Sequence, residues 1–121
     1  MHADLSKLID LSGRVAVVTG GSRGLGRAMA LGFAKAGASV VVASRKADAC
    51  EAVVDEISRL GGAGLAVAVR MQEPDEIRGL VGATVERFGR LDIVVNNAAF
   101  VGTDALKGWT TPVDQQDLDT W

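Results

Sequence analysis

The sequence of 121 residues contains no tyrosine, one cysteine and one histidine, and aromatic residues make up only 4% of it. A single cysteine excludes an internal disulfide and a zinc site built from several thiolates. Few aromatic rings and a net charge of −2 provide neither a stacking platform nor electrostatic attraction for nucleic acid, and no attraction to an anionic membrane. Without a disulfide framework, we expect the protein in the reducing cytoplasm.

Long hydrophobic runs are also absent. No stretch approaches the roughly 20 apolar residues of a membrane span. The opening segment MHADLSKLIDLSG lacks the apolar core and the small-residue cleavage site of a secretory signal, so residues 1–12 are predicted to be an N-terminal arm. With 48% hydrophobic and 23% charged residues, the chain has the composition of a globular domain. We predict no metal site in it.

Four mostly apolar segments, at 14–18, 39–43, 65–69 and 91–95, alternate with three helical patterns. Strands without polar alternation are typical of a sheet that is covered on both faces. The alternation predicts an α/β fold of the Rossmann type, which is a doubly wound parallel sheet with strand order 3-2-1-4 in the part present. The apolar stripes predicted for the helices are Leu25, Met29 and Phe33; Cys50, Val53, Ile57 and Leu60; and Ile77, Leu80, Val81, Thr84 and Phe88.

Glycine is concentrated in the segment VVTGGSRGLG (17–26), directly after the first predicted strand. Gly20, Gly24 and Gly26 have the spacing G-x-x-x-G-x-G, and a helix is predicted to begin among them. The free N–H groups and the positive dipole end of that helix favour a phosphate, which needs backbone rather than side chains beside it. Ser22 offers a hydroxyl donor. The pattern matches neither a P-loop nor G-x-G-x-x-G, and a tight turn without a ligand is the alternative.

The segments TGGSRGLG (19–26) and NNAA (96–99) together resemble the short-chain dehydrogenase/reductase family, whose T-G-x-x-x-G-x-G pattern is matched in full. The resemblance covers nearly the whole chain from Leu11 onward. It implies a nicotinamide cofactor whose pyrophosphate lies on the glycine-rich turn, with a further contact from Leu25. One departure is Ala99, which stands where the family pattern has glycine.

The same resemblance implies roles for the residues that follow the fourth strand. Asn97 is expected beside the cofactor ribose, and Ala98 along the cofactor backbone. Asn96 is expected to hold the fourth strand in place. On residue type alone, Asn96 and Asn97 could equally be amides that cap the loop, because asparagine side chains commonly bond to nearby backbone.

The loop after the second predicted strand indicates which nicotinamide cofactor is bound. An NAD site places an acid there to bind the ribose 2′-hydroxyl, but no acid occurs from Val40 to Ala47. Ser44, Arg45 and Lys46 stand in that loop instead, where a guanidinium fork can bind a 2′-phosphate. Arg23 can approach the same phosphate from the glycine-rich turn. We therefore predict NADP(H) rather than NAD(H), the alternative being that Arg45 and Lys46 are solvated residues at a helix start.

The adenine end of the cofactor is where the chain departs most from the family. Members of the family commonly have Asp after the third strand, beside the adenine, whereas this chain has Arg70 followed by Met71. Met71 can still pack on the base. Arg70 cannot accept a hydrogen bond from the adenine amine, so stacking on the base and pointing to solvent both stay open for it.

The resemblance also implies a Tyr-x-x-x-Lys helix, and this chain has no tyrosine. Hydride transfer to a carbonyl leaves an alkoxide that must be protonated in place, so we assign no catalytic residue here. Residues 1–121 are expected to be the cofactor-binding half, incomplete at the C-terminus, of an oligomeric enzyme for small alcohol or carbonyl substrates. A non-catalytic NADP(H)-binding module or an inactive remnant is the alternative.

The segment TTPVDQQDLDTW (110–121) is expected to open a further helix. The fourth strand is expected to lie at an exposed apolar edge, and exposed edges promote aggregation. We therefore expect the chain on its own to be poorly soluble or partly unfolded.

Overall fold

The computed structural model of the protein describes residues 8–98 and Asp114. Residues 1–7 of the N-terminal arm, Ala99 and the helix expected at 110–121, apart from Asp114, lie outside this description. No helix among the described residues has both the length and the apolar character needed to cross a bilayer. The elements in chain order are β1 (Val15–Thr19), α1 (Gly24–Lys35), β2 (Ser39–Ser44), α2 (Ala47–Arg59), β3 (Gly64–Ala68), α3 (Pro74–Phe88) and β4 (Ile93–Val95).

The four strands form one parallel sheet in the order β3-β2-β1-β4, which confirms the predicted order. Val17 of β1 lies opposite Val41 of β2 and Val94 of β4. The predicted strand boundaries are wrong by one or two residues. The largest difference is at β4, which begins at Ile93 because the carboxylate of Asp92 accepts the N–H of Val15 at 2.8 Å.

Helices cover both faces of the sheet, as the apolar strands predicted. Side chains along a strand point alternately to opposite faces. Val18 and Val42 therefore belong to one core cluster with Ile57 of α2, and small residues of α1 join it. Val41 belongs to a second cluster with Leu80 of α3.

The predicted buried face of α1 is wrong. The residues that α1 buries are Gly26, Ala30 and Ala34, whereas Leu25 is 70% exposed. The observed face has the same spacing of four residues as the predicted one but is rotated by one residue, which is about 100° around the helix. Large side chains would hold α1 away from the sheet, so the helix turns its smallest residues inward. Phe33 packs at the margin of this cluster.

The other two helical stripes are correct at most positions. Cys50, Val53 and Ile57 are fully or almost fully buried, but Leu60 is 49% exposed because α2 ends at Arg59. In α3, Val81 is also largely exposed, since the stripe there is narrower than predicted. A glycine with positive φ follows the end of each of the three helices, at positions 37, 61 and 89.

An acidic side chain holds the amino ends of β1 and β4 together. The Oδ2 atom of Asp92 accepts hydrogen bonds from the backbone N of Val15 and from Nε of Arg90, both at 2.8 Å. Arg90 donates a second bond to Oδ1 at 2.7 Å, and Arg14 lies 3.6 Å from the same atom. These donors, Arg90 first, lower the pKa of Asp92 to about 2. This anchor lies at the edge of the sheet opposite to the glycine-rich loop.

Candidate functional site

The glycine-rich loop lies across the carboxyl ends of β1 and β2. Gly20 leaves β1 with φ +64, a conformation that favours glycine, and its N–H donates to the carbonyl of Ala43 at 2.8 Å. Ser22 and Arg23 continue the loop, and α1 begins at Gly24, which has φ +56. The start of the helix is thereby fixed over the edge of the sheet where ligands bind in folds of this type.

Gly26 is the tightest position in the loop. A Cβ atom there would overlap the carbonyl oxygen of Gly20 and would lie 2.5 Å from Nδ2 of Asn97. Gly24 is the opposite case, because a Cβ atom at that position would meet nothing within 4 Å. The loop is therefore closed toward the sheet at Gly26 and open on its outer side at Gly24.

The first turn of α1 has no acceptor from the described part of the chain. Its N-cap residue, Arg23, makes no side-chain cap, and no acidic residue occurs in the turn. By contrast, α2 has Asp48 in its first turn and α3 has two acids in the same place. Since acids at that position compensate the helix dipole, α1 alone of the three presents an uncompensated positive end.

Thr19 and Asn97 connect the loop to the end of β4. Thr19 is 2% exposed, and its Oγ1 donates to the carbonyl of Val95 at 3.2 Å while it accepts the N–H groups of Asn97 and Ala98, each at 3.1 Å. The amide Nδ2 of Asn97 donates to the carbonyl of Gly20 at 3.2 Å. One hydroxyl thus uses its single proton and both lone pairs, and the two loops are held as one unit.

This network changes the division of roles between the two asparagines. The holding contact expected from Asn96 is made by the side chain of Asn97, whereas Asn96 is exposed. The chain has left β4 at this point, and the side chain of Asn97 rather than that of Asn96 reaches the glycine-rich loop. Asn97 and Ala98 do lie at the carboxyl edge beside that loop, where a ligand on the loop would reach them.

The basic loop between β2 and α2 lies next to the glycine-rich loop. Thr19 is paired with Ala43 in the sheet, so Arg23 and Arg45 follow neighbouring strand ends. Arg23, Arg45 and Lys46 are exposed, and within residues 8–98 none of them forms an ion pair. The hydroxyl of Ser44 is turned toward its own loop, where it accepts the N–H of Lys46 at 3.3 Å. The structure thus brings three exposed cations to the edge of the sheet where the glycines lie.

Arg70 is exposed to solvent, which is one of the two alternatives that the sequence left open, and it is paired there with an acid of α3. Its guanidinium donates to Glu76 of α3, with Nε at 2.8 Å from Oε2, and its backbone N donates to Oε1 at 3.0 Å. These bonds lower the pKa of Glu76 and raise that of Arg70. Met71 packs against the core cluster of Val17 and Val41, so it is anchored at the sheet edge.

Sequence reasoning missed two residues that shape this region, Thr19 and Glu76, and it also missed Asp92 at the opposite edge of the sheet. Thr19 could have been found as the one polar residue in a buried apolar strand, because such a hydroxyl needs partners. Glu76 and Asp92 gave no comparable signal, since exposed-looking acids are common and their partners are fixed only by the fold.

Comparisons with known proteins agree with this geometry. The family model for short chain dehydrogenase matches residues 14–121. An uncharacterised oxidoreductase from Methylorubrum extorquens is 52% identical over 90 residues, which cover 73% of this chain and 36% of that protein. The chain spans about a third of the length of the curated relatives it matches.

Two solved structures show the same fold with different cofactors. A metagenomic short-chain oxidoreductase in complex with NADP has a TM-score of 0.71 and 40% identity, covering 74% of this chain and 41% of that one. A 7 alpha-hydroxysteroid dehydrogenase complexed with NADH has a TM-score of 0.76 and 39% identity, covering 83% and 38%. The likeness does not choose between the two cofactors. The family model matches most of the residues of this chain, which therefore belongs to the short-chain dehydrogenase family.

Proposed function

We propose that the protein binds NADP(H) and that its full-length form is an oxidoreductase of small alcohol or carbonyl compounds. The single observation that carries this proposal is the pairing of two features at one sheet edge. One is the uncapped, glycine-lined start of α1, and the other is the set of exposed cations Arg23, Arg45 and Lys46, which form no ion pair within residues 8–98. Together they suit a ligand with both a pyrophosphate and a further phosphate.

The glycine-rich loop fits the pyrophosphate in shape and in charge. The open space beside Gly24 lets phosphate oxygens approach the backbone N–H groups at the start of α1. Ser22 adds a hydroxyl within the same loop, and Leu25, which is largely exposed, can cover the ligand. Gly20 and Gly26 fix the shape of the loop, because a Cβ atom at either position would meet the side chain of Asn97.

The cations provide the choice of NADP(H) over NAD(H). A guanidinium binds a phosphate through two parallel hydrogen bonds, and Arg45 and Arg23 stand on adjacent loops from which both can reach one phosphate. Lys46 adds positive charge in the Arg45 loop. An NAD site would need an acid at the end of β2 for the ribose 2′-hydroxyl, and that strand ends in Ser44.

At the opposite end of the site, the cofactor would supply a hydride donor or acceptor when bound. Asn97 and Ala98 would lie along its ribose, and Met71 would pack at the adenine end. The family's tyrosine proton donor is not among the 121 residues. A second candidate function is an NADP(H)-binding module without catalysis, whereas the first includes an oligomer of the full-length protein.

Binding of reduced cofactors to the full-length protein, followed by calorimetry, tests the proposal. NADPH is expected to bind more tightly than NADH. The substitution Arg45→Ala should weaken NADPH by about 10- to 100-fold, as expected when a hydrogen bond to a charged group is lost, and leave NADH unchanged. Arg59→Ala, which removes an exposed arginine from the last turn of α2, is the matched control and should change neither affinity.

Different results would separate the candidates. Equal or tighter binding of NADH by the unsubstituted protein would contradict the choice of NADP(H). Tight NADPH binding without turnover of any alcohol or carbonyl compound by the full-length protein would support the binding module instead of the enzyme.

A further inference from the structure

The hydroxyl of Ser44 is bound by its own chain at the point where β2 passes into α2. Its Oγ lies 3.0 Å from Sγ of Cys50 and accepts the N–H of Lys46 at 3.3 Å. The carbonyl of Lys46 is 3.4 Å away on the same side. A serine hydroxyl has one proton and two lone pairs, so these three neighbours can occupy it fully.

Cys50 closes this arrangement from the inside. It is fully buried in the first turn of α2, and its backbone N donates to the carbonyl of Lys46 at 3.1 Å. Its thiol also lies 4.0 Å from the carbonyl of Val67 in β3. The sulfur of Cys50 therefore contacts the end of β2 through Ser44 and contacts β3 through Val67, and α2 begins beside it.

Arg45 lies between Ser44 and Lys46, and its side chain is exposed and has no partner inside the turn among the described residues. Both ends of the turn are fixed, one by the Ser44 hydroxyl and the other by the hydrogen bond that starts α2. The direction in which Arg45 leaves the backbone is then set by the contact between Ser44 and Cys50. Fixing a loop in its bound conformation increases affinity because less freedom is lost on binding.

We propose that Ser44 and Cys50 form a positioning pair that directs Arg45 at the adenosine 2′-phosphate, and that Ser44 does not itself bind this phosphate. The inference rests on the proposed function, because it explains how the NADP(H) preference is set. Neither residue is a catalytic residue, and Cys50 acts through Ser44 rather than as an exposed reactive thiol.

The test is the ratio of the NADH to the NADPH dissociation constant, measured on the full-length protein for Ser44→Ala, Cys50→Ala and the double variant. Each single substitution should lower the ratio by about two- to tenfold, the effect of losing one ordering hydrogen bond. The double variant should match the single ones, since both remove the same contact. Cys50→Ser keeps a hydrogen-bonding group and should restore most of the preference.

A matched control separates positioning from a general loss of stability. Thr84 has a buried hydroxyl on the α3 side of the sheet, and this hydroxyl donates to the carbonyl of Leu80 at 2.8 Å. Thr84→Ala should lower the free energy of unfolding without changing the cofactor ratio. A ratio that changes in proportion to stability across all of these variants would overturn the proposal.

The remaining outcomes are also decisive. If Ser44→Ala lowers the ratio while Cys50→Ala does not, Ser44 binds the phosphate directly and the positioning pair is wrong. If neither lowers it although the unsubstituted protein prefers NADPH, the inference fails while the proposed function stands. An unsubstituted protein without any preference for NADPH overturns the proposed function itself.

Discussion

Replacing Thr19 by valine would test whether one hydroxyl holds the two loops of the site together. The two side chains have nearly the same shape, so Thr19→Val leaves no cavity. It removes the three hydrogen bonds of Oγ1, which join β1 to the carbonyl of Val95 and to the N–H groups of Asn97 and Ala98. The change therefore isolates the polar connection from the packing of a residue that is 2% exposed.

The expected loss of stability depends on which hydrogen bonds the partners of Thr19 keep after the substitution. The N–H of Asn97 keeps a bond to the carbonyl of Val95 at 3.0 Å, so those two groups remain satisfied. The N–H of Ala98 has no second acceptor among the described residues. A lost hydrogen bond costs about 0.5–1.5 kcal/mol net and an unsatisfied group about 1–3 kcal/mol. Because the network is only partly buried, we expect about 2 kcal/mol, or roughly a 30-fold change in the unfolding equilibrium.

The assay is equilibrium unfolding of the full-length protein in urea, with NADPH binding measured on the same samples. Thr19→Ser is the control, because it keeps the hydroxyl and loses one methyl group, worth about 0.8 kcal/mol. We expect valine to be less stable than serine and to bind NADPH more weakly, since Gly20 loses its fixed position against Asn97. A valine variant as stable as the serine variant, with equal NADPH affinity, would refute the proposed role of this network.

Three further predictions concern packing, charge and the core. Gly26→Ala should abolish NADPH binding, because the added Cβ would lie 2.5 Å from the Asn97 amide. Gly32→Ala is the control: it lies in open space on the same helix and should stabilise the protein by about 0.5–1 kcal/mol. Equal effects of the two substitutions on NADPH binding and on stability would contradict the tight approach at Gly26. The pKa of Asp92 is lowered to about 2, so the contribution of its carboxylate to stability is complete above about pH 4 and is lost as the pH falls toward 2. The melting temperature of Asp92→Asn should therefore depend less on pH over that interval than that of the unsubstituted protein. Parallel plots of melting temperature against pH for the two proteins would contradict this. Ile57→Ala should lower the free energy of unfolding in urea by about 2–5 kcal/mol, because Ile57 is fully buried. A loss of only a few tenths of a kcal/mol would show instead that the surrounding core relaxes to fill the cavity.

The sheet could be predicted from the sequence because its strands have strong local signals. Continuous runs of valine and alanine identify buried parallel strands, and the order then follows from the rules for crossovers. The backbone geometry of the loop could also be predicted, because Gly20, Gly24 and Gly26 have no side chains and therefore indicate a tight loop. At Gly26 the backbone of α1 comes so close to Gly20 and Asn97 that a Cβ atom would overlap them.

The buried face of α1 could not be predicted by looking for large apolar residues. Leu25 and Met29 are the obvious candidates, but the helix begins against the sheet, where the distance between backbones leaves room only for Gly26, Ala30 and Ala34. Burial on this helix is decided by size rather than by hydrophobicity. The pairing of Arg70 with Glu76 was inaccessible for another reason: it depends on the path of the loop after β3, which no residue of the sequence specifies alone.

These differences divide the site into a part fixed by packing and a part fixed by charge. Gly26 and Thr19 lie within contacts that the fold itself needs, so substitutions there must change stability and cofactor affinity together. Arg45 lies outside those contacts, on a turn whose ends are held by other groups, so its replacement should alter the choice between NADPH and NADH at little cost in stability. A surface arginine normally contributes about 0.5 kcal/mol or less to stability. If Arg45 selects the cofactor as proposed, cofactor preference is separable from the fold and is linked to it through the contact of Ser44 with Cys50.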